Sequence, residues 1–421
     1  MKADVVVVGG GPAGASAAIR LARRGVDVCL LDRARFPRAK PCGEFLSPGA
    51  TPLLEELGVR EAVEAAGALR LERVRIDAHG AVVELDFPDD EGAPPWGYSL
   101  SRLALDAILV EAARTAGAGV HEGARVDEVR LEPERAVVSA RGADGEPLSV
   151  EARLVVGAGG RNCPVARAMG VQRRDRRARF DLLAHWSGKP EEPGTAGSPL
   201  RGGAVERGNP VSELRVRGDR YVAIAPIEGG RWNVNCVVPR SDLRAETDTL
   251  ALYRRVTGVR EGPTASPDEE IAASDVTAIR TARATADRAL LVGDAALFLD
   301  PFTGQGLYLA LRSAALAAEV IPEAIAHGAE RDRLAPYEAG RHAEFAARRC
   351  VSRALQAVLF RKRPARAVVR ALSRDRGLAR TLASATGDLT PSERVWRAGY
   401  AAGLLKAACS PGRVGPDRIR T

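Results

Sequence analysis

The chain of 421 residues is long enough to bury a large core, and 45% hydrophobic with 28% charged residues is the composition of an ordinary globular protein. No stretch approaches the roughly 20 apolar residues that span a bilayer, so no transmembrane helix is expected. The net charge of +8 is concentrated in residues 341–421, which carry 18 Lys and Arg against 5 Asp and Glu.

The six cysteines lie far apart and form no CxxC pair, which fits neither a disulfide framework nor a zinc site. No histidine has the spacing of a metal ligand, so no metal is predicted. Only Lys2 precedes the first apolar run, and a signal peptide is therefore not expected. These features indicate a cytoplasmic protein with reduced thiols.

The N-terminal segment has the pattern of a β-α-β unit. Val5–Val8 is a β-branched run that predicts a buried strand, glycines follow, and an alanine-rich helix covers Ala15–Arg24. A second buried strand is predicted over Val26–Leu31. Two strands joined by one helix in this way are parallel, with a right-handed crossover.

Helix-start signals recur further along the chain. Ser47 and Pro48 predict an N-cap and first turn for a helix that ends at Leu57, and Ser101 predicts the N-cap of a helix that ends near Thr115. Strand patterns around these helices cover Arg73–Ala78, Val82–Phe87, Ala136–Ala140, Leu148–Glu151 and Leu154–Val156.

Residues 173–272 are richer in Gly, Pro and Arg and contain alternating strands at Tyr221–Ile224 and Trp232–Val238, which predicts an inserted antiparallel sheet. Buried patterns return at Ala289–Val292 and Leu307–Ile321, so the first domain is discontinuous. The predicted units are a nucleotide-binding domain (1–75, 98–172 and 273–335), a substrate domain (76–97 and 173–272) and a C-terminal helical segment (336–421).

A glycine-rich loop follows the first strand and opens the first helix, as in dinucleotide-binding folds. Its glycines allow a tight turn, close approach of a pyrophosphate and close packing of helix on strand. Asp32 ends the second strand 18 residues after the loop, where its carboxylate would bind ribose hydroxyls. The cofactor-binding residues predicted in this region are Gly9, Gly11, Pro12, Ala13, Gly14, Asp32 and the adjacent Arg33.

A second motif separates FAD from NAD. A strand delivers Asp294 to its C-terminal end, and Pro301, Gly304, Gln305 and Gly306 then place backbone at the start of an apolar helix. A flavin needs such a second site, because its ribityl chain requires a polar anchor and its pyrimidine edge gains negative charge on reduction. The pair of motifs therefore predicts FAD.

With both motifs present, residues 1–335 resemble the FAD-dependent oxidoreductases of the p-hydroxybenzoate hydroxylase fold, and most closely the geranylgeranyl-reductase-like branch. The resemblance implies an α/β fold, α+β overall. A Rossmann-type FAD-binding domain of the glutathione reductase type would carry an inserted antiparallel β-sheet that binds substrate, followed by the C-terminal helices.

The resemblance also implies roles for individual residues. Asp294 would bind the ribityl hydroxyls, Pro301 would lie near the reactive C4a edge of the flavin, and the segment Gly304–Leu307 would face the isoalloxazine. Arg102 matches an arginine that reaches the phosphate and ribityl region, and the backbone of Val126 matches a contact with adenine. The flavin-facing residues are thus Gly304, Gln305, Gly306 and Leu307.

A segment with the pattern K-x-C-G, from Lys40 to Gly43 and followed by Glu44, comes after the nucleotide-binding unit. Such segments mark the geranylgeranyl-reductase-like branch, where they border flavin and substrate. Cys42 and Glu44 are therefore the candidate catalytic residues, and acid–base catalysis by Glu44 is a hypothesis. The alternative is that Cys42 is a small buried hydrophobe and Glu44 a solvated loop charge.

Two departures from related patterns bear on the reaction. Gly159 stands where hydroxylases carry an Asp-Gly motif associated with NAD(P)H. Whether NAD(P)H is the electron donor is therefore left open. The stretch from Tyr221 to Pro226 has Ala223 and Ala225 where halogenases and geranylgeranyl reductases carry aromatic residues. This disfavours halogenation and weakens isoprenoid reduction, although small residues also enlarge a cavity.

The leading hypothesis is a single-component flavin monooxygenase that hydroxylates or epoxidises a hydrophobic phenolic, polyketide or terpenoid substrate. The alternative is an FAD-dependent reductase of geranylgeranyl-type double bonds, and the third is a non-catalytic flavin redox protein. The basic C-terminal helices would pack on the body or contact an anionic membrane surface, whereas nucleic acid is not predicted as a partner. The oligomeric state is left open.

Overall fold

The computed structural model describes residues 1–89, 92–174, 179–187, 210–259, 266–267, 271–276 and 279–409. The strands within these ranges are β1 (Lys2–Val8), β2 (Val28–Asp32), β3 (Phe45–Leu46), β4 (Leu69–Leu71), β5 (Arg73–Ala78), β6 (Ala81–Asp86), β7 (Gly97–Ser99), β8 (Gly119–Glu122), β9 (Arg125–Leu131), β10 (Ala136–Arg141), β11 (Pro147–Gly157), β12 (Gln172–Arg174), β13 (Arg179–Ser187), β14 (Ser212–Arg217), β15 (Arg220–Pro226), β16 (Arg231–Pro239), β17 (Ser266–Pro267), β18 (Ala272–Asp275), β19 (Ile279–Thr281), β20 (Thr285–Ala286), β21 (Ala289–Leu291) and β22 (Leu297–Phe298).

The helices are α1 (Pro12–Ala22), α2 (Ala50–Glu56), α3 (Arg60–Ala65), α4 (Arg102–Thr115), α5 (Pro164–Ala168), α6 (Arg240–Ala245), α7 (Thr249–Thr257), α8 (Gly306–Ala326), α9 (Ala335–Leu359), α10 (Lys362–Arg374), α11 (Arg376–Thr386) and α12 (Ala398–Cys409). Among the described residues no helix is both long and apolar enough to cross a membrane.

The first sheet has the order β20-β21-β11-β1-β2-β8, and its central strands are parallel. Val5–Val8 in β1 is buried, because α1 packs on this sheet and contacts both α4 and α8. Strands buried on both faces read as continuous β-branched runs, which is why the sequence predicts them so readily. The predicted parallel pairing of the first two strands is confirmed.

The second sheet has the order β17-β13-β16-β15-β14-β5-β6 and is antiparallel except where β14 pairs with β5. Its outer face is covered by α7, and its β5–β6 end is covered by α10. The division of the chain into domains stays a prediction. The predicted boundary at residue 75 falls inside β5, which lies wholly in this second sheet.

The local predictions fail and succeed for identifiable reasons. Ser101 caps α4 as predicted, because its Oγ accepts a hydrogen bond from the Ala104 N–H at 3.3 Å. Ser47 does not cap a helix: α2 begins after Gly49, and the Ser47 hydroxyl donates instead to Asp388 at 2.8 Å. A contact with a residue over three hundred positions away cannot be read from local sequence.

Candidate active site

The glycine loop between β1 and α1 is as tight as its sequence predicts. Gly9 has φ of 110°, and a Cβ added there would lie 2.5 Å from the Ala158 carbonyl oxygen. A Cβ on Gly14 would lie 1.8 Å from the Gly9 carbonyl oxygen, so only glycine fits. Pro12 and Ala13 begin α1, whose first backbone N–H groups have no partner within the helix. This arrangement binds anions.

Asp32 holds the loop from the end of β2. Its Oδ2 accepts a hydrogen bond from Gly10 N–H at 2.6 Å, and its Oδ1 accepts one from Ala34 N–H at 2.8 Å. Its carbonyl oxygen accepts from Ala124 N–H at 2.8 Å, which brings the strand that contains Val126 to the same edge. The neighbouring Arg33 is exposed. The predicted roles of Asp32, Arg33 and Val126 toward ribose and adenine stay predictions.

A pair of guanidinium groups lies beside the glycine loop. Arg102 makes a bidentate ion pair with the fully buried Asp106, with both N···O distances 2.7 Å, and Arg38 joins the same carboxylate at 2.9 Å. A Cβ on Gly11 would lie 3.6 Å from an Arg38 nitrogen and 3.7 Å from an Arg102 nitrogen. Lys40 lines the same cavity, and burial together with Arg102 lowers its pKa. Positive charge therefore exceeds negative charge where a pyrophosphate would bind.

The second motif meets the first. Gly293, which precedes Asp294, has φ of 58°, and a Cβ there would lie 2.8 Å from the Ala13 Cβ. Gly304 has φ of 70°, and a Cβ there would lie 2.9 Å from the Phe45 ring. Gly306 faces open space, at the start of α8 where the first N–H groups are unpaired. Two loops nearly three hundred residues apart in sequence thus converge on one cavity.

This cavity has a volume of about 250 Å³. One side, the loop wall, consists of residues 11–13, 40–44, Asp294 and 300–307. The other side, the sheet wall, is formed by inward-facing residues of the second sheet, among them Asp181, Tyr221, Ala223, Ala225 and Asn235. The cavity therefore lies between the nucleotide-binding loops and the inserted sheet.

The loop wall fits FAD. A diphosphate needs unpaired N–H groups and cations beside a residue that has no side chain. The start of α1 with Arg38 and Arg102 supplies these. A flavin needs a second polar anchor and a helix start at its pyrimidine edge, and Asp294 with the first turn of α8 supplies these. Pro301, Gly304 and Leu307 line the cavity, and their contacts with the flavin stay predictions.

Glu44 is not the solvated loop charge of the alternative interpretation, because only 2% of it is exposed. Its Oε1 accepts from Arg102 N–H at 2.8 Å, and its Oε2 accepts from Asn233 Nδ2 at 2.8 Å and contacts His185 Nε2 at 2.9 Å. Three partners on two oxygens suit a residue that joins α4, the loop and the sheet. Acid–base catalysis by Glu44 stays an untested hypothesis.

The Cys42 thiol lines the cavity, and its Sγ accepts from Glu44 N–H at 3.4 Å. Burial raises the pKa of this thiol, although the nearby Arg102 guanidinium acts in the opposite direction. The thiol therefore holds its proton near neutral pH. A thiol that keeps its proton is a poor nucleophile.

The sheet wall carries two acceptor oxygens that sequence reasoning did not identify. Asp181 Oδ1 and Asn235 Oδ1 are buried, and neither has a hydrogen-bond partner among the described residues. Burial raises the pKa of Asp181 to about 7, with Arg161 opposing and Asp300 adding to the shift. Their only sequence signal is the alternation of β13 and β16, which places both on the inward face.

Asp300 closes the end of the cavity next to Pro301. Its Oδ1 accepts from the Tyr221 hydroxyl at 2.6 Å, and its Oδ2 lies 3.1 Å from Arg179 Nε. Burial raises the pKa of Asp300, and Arg179 opposes that shift. The ion pair and the tyrosine fix the turn that leads into the flavin loop.

The chain belongs to a known family. A family model described as "FAD binding domain" matches residues 2–354. The predicted family, fold class and cofactor are thereby confirmed, and the protein is an FAD-dependent oxidoreductase. The family match includes both motif loops and the inserted sheet and ends within α9.

Individual relatives differ in the reactions that their names describe. Menaquinone reductase of Mycobacterium tuberculosis is 32% identical over 330 residues, which cover 76% of this chain and 76% of that protein. The 6-methylpretetramide 4-monooxygenase of Streptomyces rimosus is 30% identical over 337 residues, again covering 76% of each. The crystal structure of CmlS, a flavin-dependent halogenase, has 26% identity and a TM-score of 0.71, covering 96% of this chain and 78% of that chain.

Proposed function

We propose that this oxidoreductase is a monooxygenase that hydroxylates a hydrophobic aromatic substrate bearing a ring hydroxyl, of the phenolic or polyketide class. The observation that carries the proposal is the pair of unpartnered oxygens, Asp181 Oδ1 and Asn235 Oδ1, in an otherwise largely apolar cavity. Buried acceptors without donors are costly, so they favour a ligand that brings O–H groups.

The size of the cavity supports an aromatic substrate over a long chain. The volume of about 250 Å³ lies below the roughly 300–1,000 Å³ of sites for drug-sized ligands. The apolar residues that would contact a ring are Phe45, Val74, Leu214, Val276 and Phe298. A compact cavity with polar groups at its edge suits a ring better than a prenyl chain.

The described side chains have separate tasks in this reaction. Bound FAD supplies the electron transfer and the activation of oxygen. Asp181, whose pKa is raised to about 7 by burial, accepts the proton of the substrate hydroxyl and makes the ring electron-rich. Asn235 orients the substrate, and Tyr221 with Asp300 holds the turn at Pro301.

The test of this proposal is the fate of molecular oxygen. The holoenzyme is supplied with a reductant and a panel of phenols and aromatic polyketides under labelled oxygen, and products are analysed by mass spectrometry. We expect one labelled oxygen atom in the product and stoichiometric oxygen consumption. Product formation under anaerobic conditions with reduced enzyme would overturn the proposal.

One observation favours a second candidate, the reduction of an activated double bond. That reaction needs a proton donor beside the flavin, and the Cys42 thiol lines the cavity in its protonated form. The similarity to menaquinone reductase supports the same candidate. Anaerobic turnover of a prenylated quinone that survives in Cys42→Ser but is lost in Cys42→Ala would favour reduction, because serine retains a weak donor.

We also propose that the protein is cytoplasmic and contacts an anionic membrane surface through α10. The apolar side of α10 packs on β5 and β6, and Lys362, Arg363 and Arg370 are exposed on its other side. Trp396, in the turn before α12, is 50% exposed. Co-sedimentation with phosphatidylglycerol vesicles but not phosphatidylcholine vesicles is expected, and equal absence from both would contradict the proposal.

A further inference from the structure

Asp388 is a buried carboxylate that the proposed reaction does not use. It lies in the turn after α11, with φ of 60°, and its side chain is wholly buried. Three side chains donate to it: Ser47 Oγ at 2.8 Å, Gln305 Nε2 at 2.6 Å and Arg348 Nε at 2.8 Å. The residue also lies beyond residue 354, where the family match ends.

Two of these three donors belong to segments next to the cavity. Gln305 immediately precedes the first turn of α8, and Ser47 follows the loop that contains Cys42 and Glu44. The backbone makes a further contact there, since Gly49 N–H donates to the Gly387 carbonyl at 2.9 Å. A Cβ on Gly49 would lie 2.4 Å from the Asp388 carbonyl oxygen, so the turn fits closely against this segment.

The third donor connects Asp388 to the body of the protein. Arg348 lies on α9, and its other nitrogens donate to the Glu344 carbonyl oxygen at 2.6 Å and to the Tyr308 hydroxyl at 3.3 Å. Near its start α9 is fixed to the first sheet, because the Tyr337 hydroxyl donates to the Leu291 carbonyl at 2.5 Å. The carboxylate is therefore held by an element that is itself anchored near the second motif.

We propose that Asp388 is a positioning residue for FAD. Through Gln305, Asp388 orients the first turn of α8. The Gln305 side chain is directed away from the cavity toward Asp388, while its neighbour Gly306 faces open space on the cavity side. If this tether is lost, the first N–H groups of α8 no longer hold a fixed direction at the pyrimidine edge. With FAD bound, these N–H groups would stabilise the negative charge that the pyrimidine edge gains on reduction.

The proposal rests on FAD binding and not on the reaction that follows. Asp388→Gly removes the carboxylate without strain, because glycine tolerates the positive φ. Asp388→Asn tolerates that φ as well and keeps an acceptor for Gln305 and Arg348. The matched control is Asp375→Ala, which removes the N-cap of α11 in the same segment and touches no residue of the cavity.

Three properties of the purified full-length protein are measured: the FAD dissociation constant, the visible spectrum of bound FAD and its midpoint potential. For Asp388→Gly we expect roughly tenfold weaker FAD binding, the effect of losing a hydrogen bond to a charged group. A shifted spectrum and a lower potential should accompany it. Asp388→Asn should retain the values of the unmodified protein for all three properties. Asp375→Ala should change thermal stability alone.

Two outcomes would overturn the proposal. One is an unchanged spectrum, potential and FAD affinity in Asp388→Gly, and the other is an equal change in Asp375→Ala. Should Asp388→Gly fail to fold, Gln305→Leu decides the question, because it removes only the flavin-loop end and leaves Ser47 and Arg348 paired with Asp388. An unaltered spectrum and potential in that variant would equally contradict the proposal.

Discussion

The loop wall and the sheet wall of the cavity differ in what holds each of them in shape. The loop wall is backbone confined by glycine: Gly9 and Gly14 flank its residues 11–13, and a side chain at either would collide with main-chain atoms. The sheet wall is a regular strand surface on which alternate side chains face inward, as Asp181 and Asn235 do. We therefore expect cofactor binding to be sensitive to backbone shape and substrate choice to depend on replaceable side chains.

The largest expected effect breaks the loop wall. Gly14→Ala would place a Cβ 1.8 Å from the Gly9 carbonyl oxygen, so the loop or α1 must move and the protein should purify without FAD. Gly399→Ala is the matched control, because a Cβ there meets no atom within 4 Å. The flavin absorbance of both purified proteins checks this, and full FAD content in Gly14→Ala would contradict it.

A smaller effect is expected when charge beside the loop is removed. Arg102→Met leaves the buried Asp106 with Arg38 alone and removes one of the two guanidinium groups beside the glycine loop. FAD affinity should therefore fall roughly 10- to 100-fold, as for loss of a charge-assisted hydrogen bond. Titration of apoprotein with FAD measures this. Arg20→Met, which disrupts a surface pair with the exposed Glu56, should leave the affinity unchanged; equal affinity in both variants would exclude a role for Arg102 in binding.

Changes in the sheet wall should affect turnover and leave the cofactor in place. Asp181→Asn removes the proposed base and should lower kcat/KM about 100-fold, the lower end of the range for general base catalysis, with normal FAD content. The pH profile of kcat/KM in the unmodified protein should rise with an apparent pKa of about 7. A profile that is flat from pH 6 to 8 would refute this role.

The last expected effect concerns stability rather than binding or turnover. Burial raises the pKa of Asp181 from 3.8 to about 7 in the folded state, so the folded state binds its proton more tightly than the unfolded chain does. The contribution of Asp181 to the free energy of unfolding is thus present below about pH 4 and lost as pH rises to about 7. Relative to Asp181→Asn, the protein should lose on the order of 2–4 kcal/mol over this range.

Denaturant unfolding at several pH values measures that difference, with the exposed Asp86→Asn as the control. The control should follow the unmodified protein throughout. Parallel stability curves for the protein and Asp181→Asn would show that Asp181 ionises normally, and would remove the support that its pKa gives to the proposed base.

The sequence predicted the loop wall because its determinants are local. Glycines at fixed spacing indicate a constrained backbone. The position of an acidic residue at the end of a predicted strand follows from that strand, as for Asp32 and Asp294. The Ser101 cap is local in the same sense. The ion pair between Arg102 and Asp106 was missed, although an arginine and an aspartate four residues apart at a helix start already suggest one. The contribution of Arg38 to it is a long-range contact without a local signal.

The sheet wall and the C-terminal contact could not be predicted, because they depend on register and on distant partners. Asp181 and Asn235 face the cavity only because β13 and β16 pair as they do, and a shift of one residue would turn both outward. Ser47 was assigned a local role that its bond to Asp388 replaces. Glu44 likewise has its partners on three separate elements.

The ion pairs around Asp106 have a consequence for the thermodynamics of FAD association. Two guanidinium groups that would repel each other are brought together by one buried carboxylate, so this arrangement is completed when the chain folds. Asp32 likewise fixes Gly10 before any ligand arrives. FAD therefore meets a preorganised site, and little conformational entropy should be lost in ordering the protein when it binds.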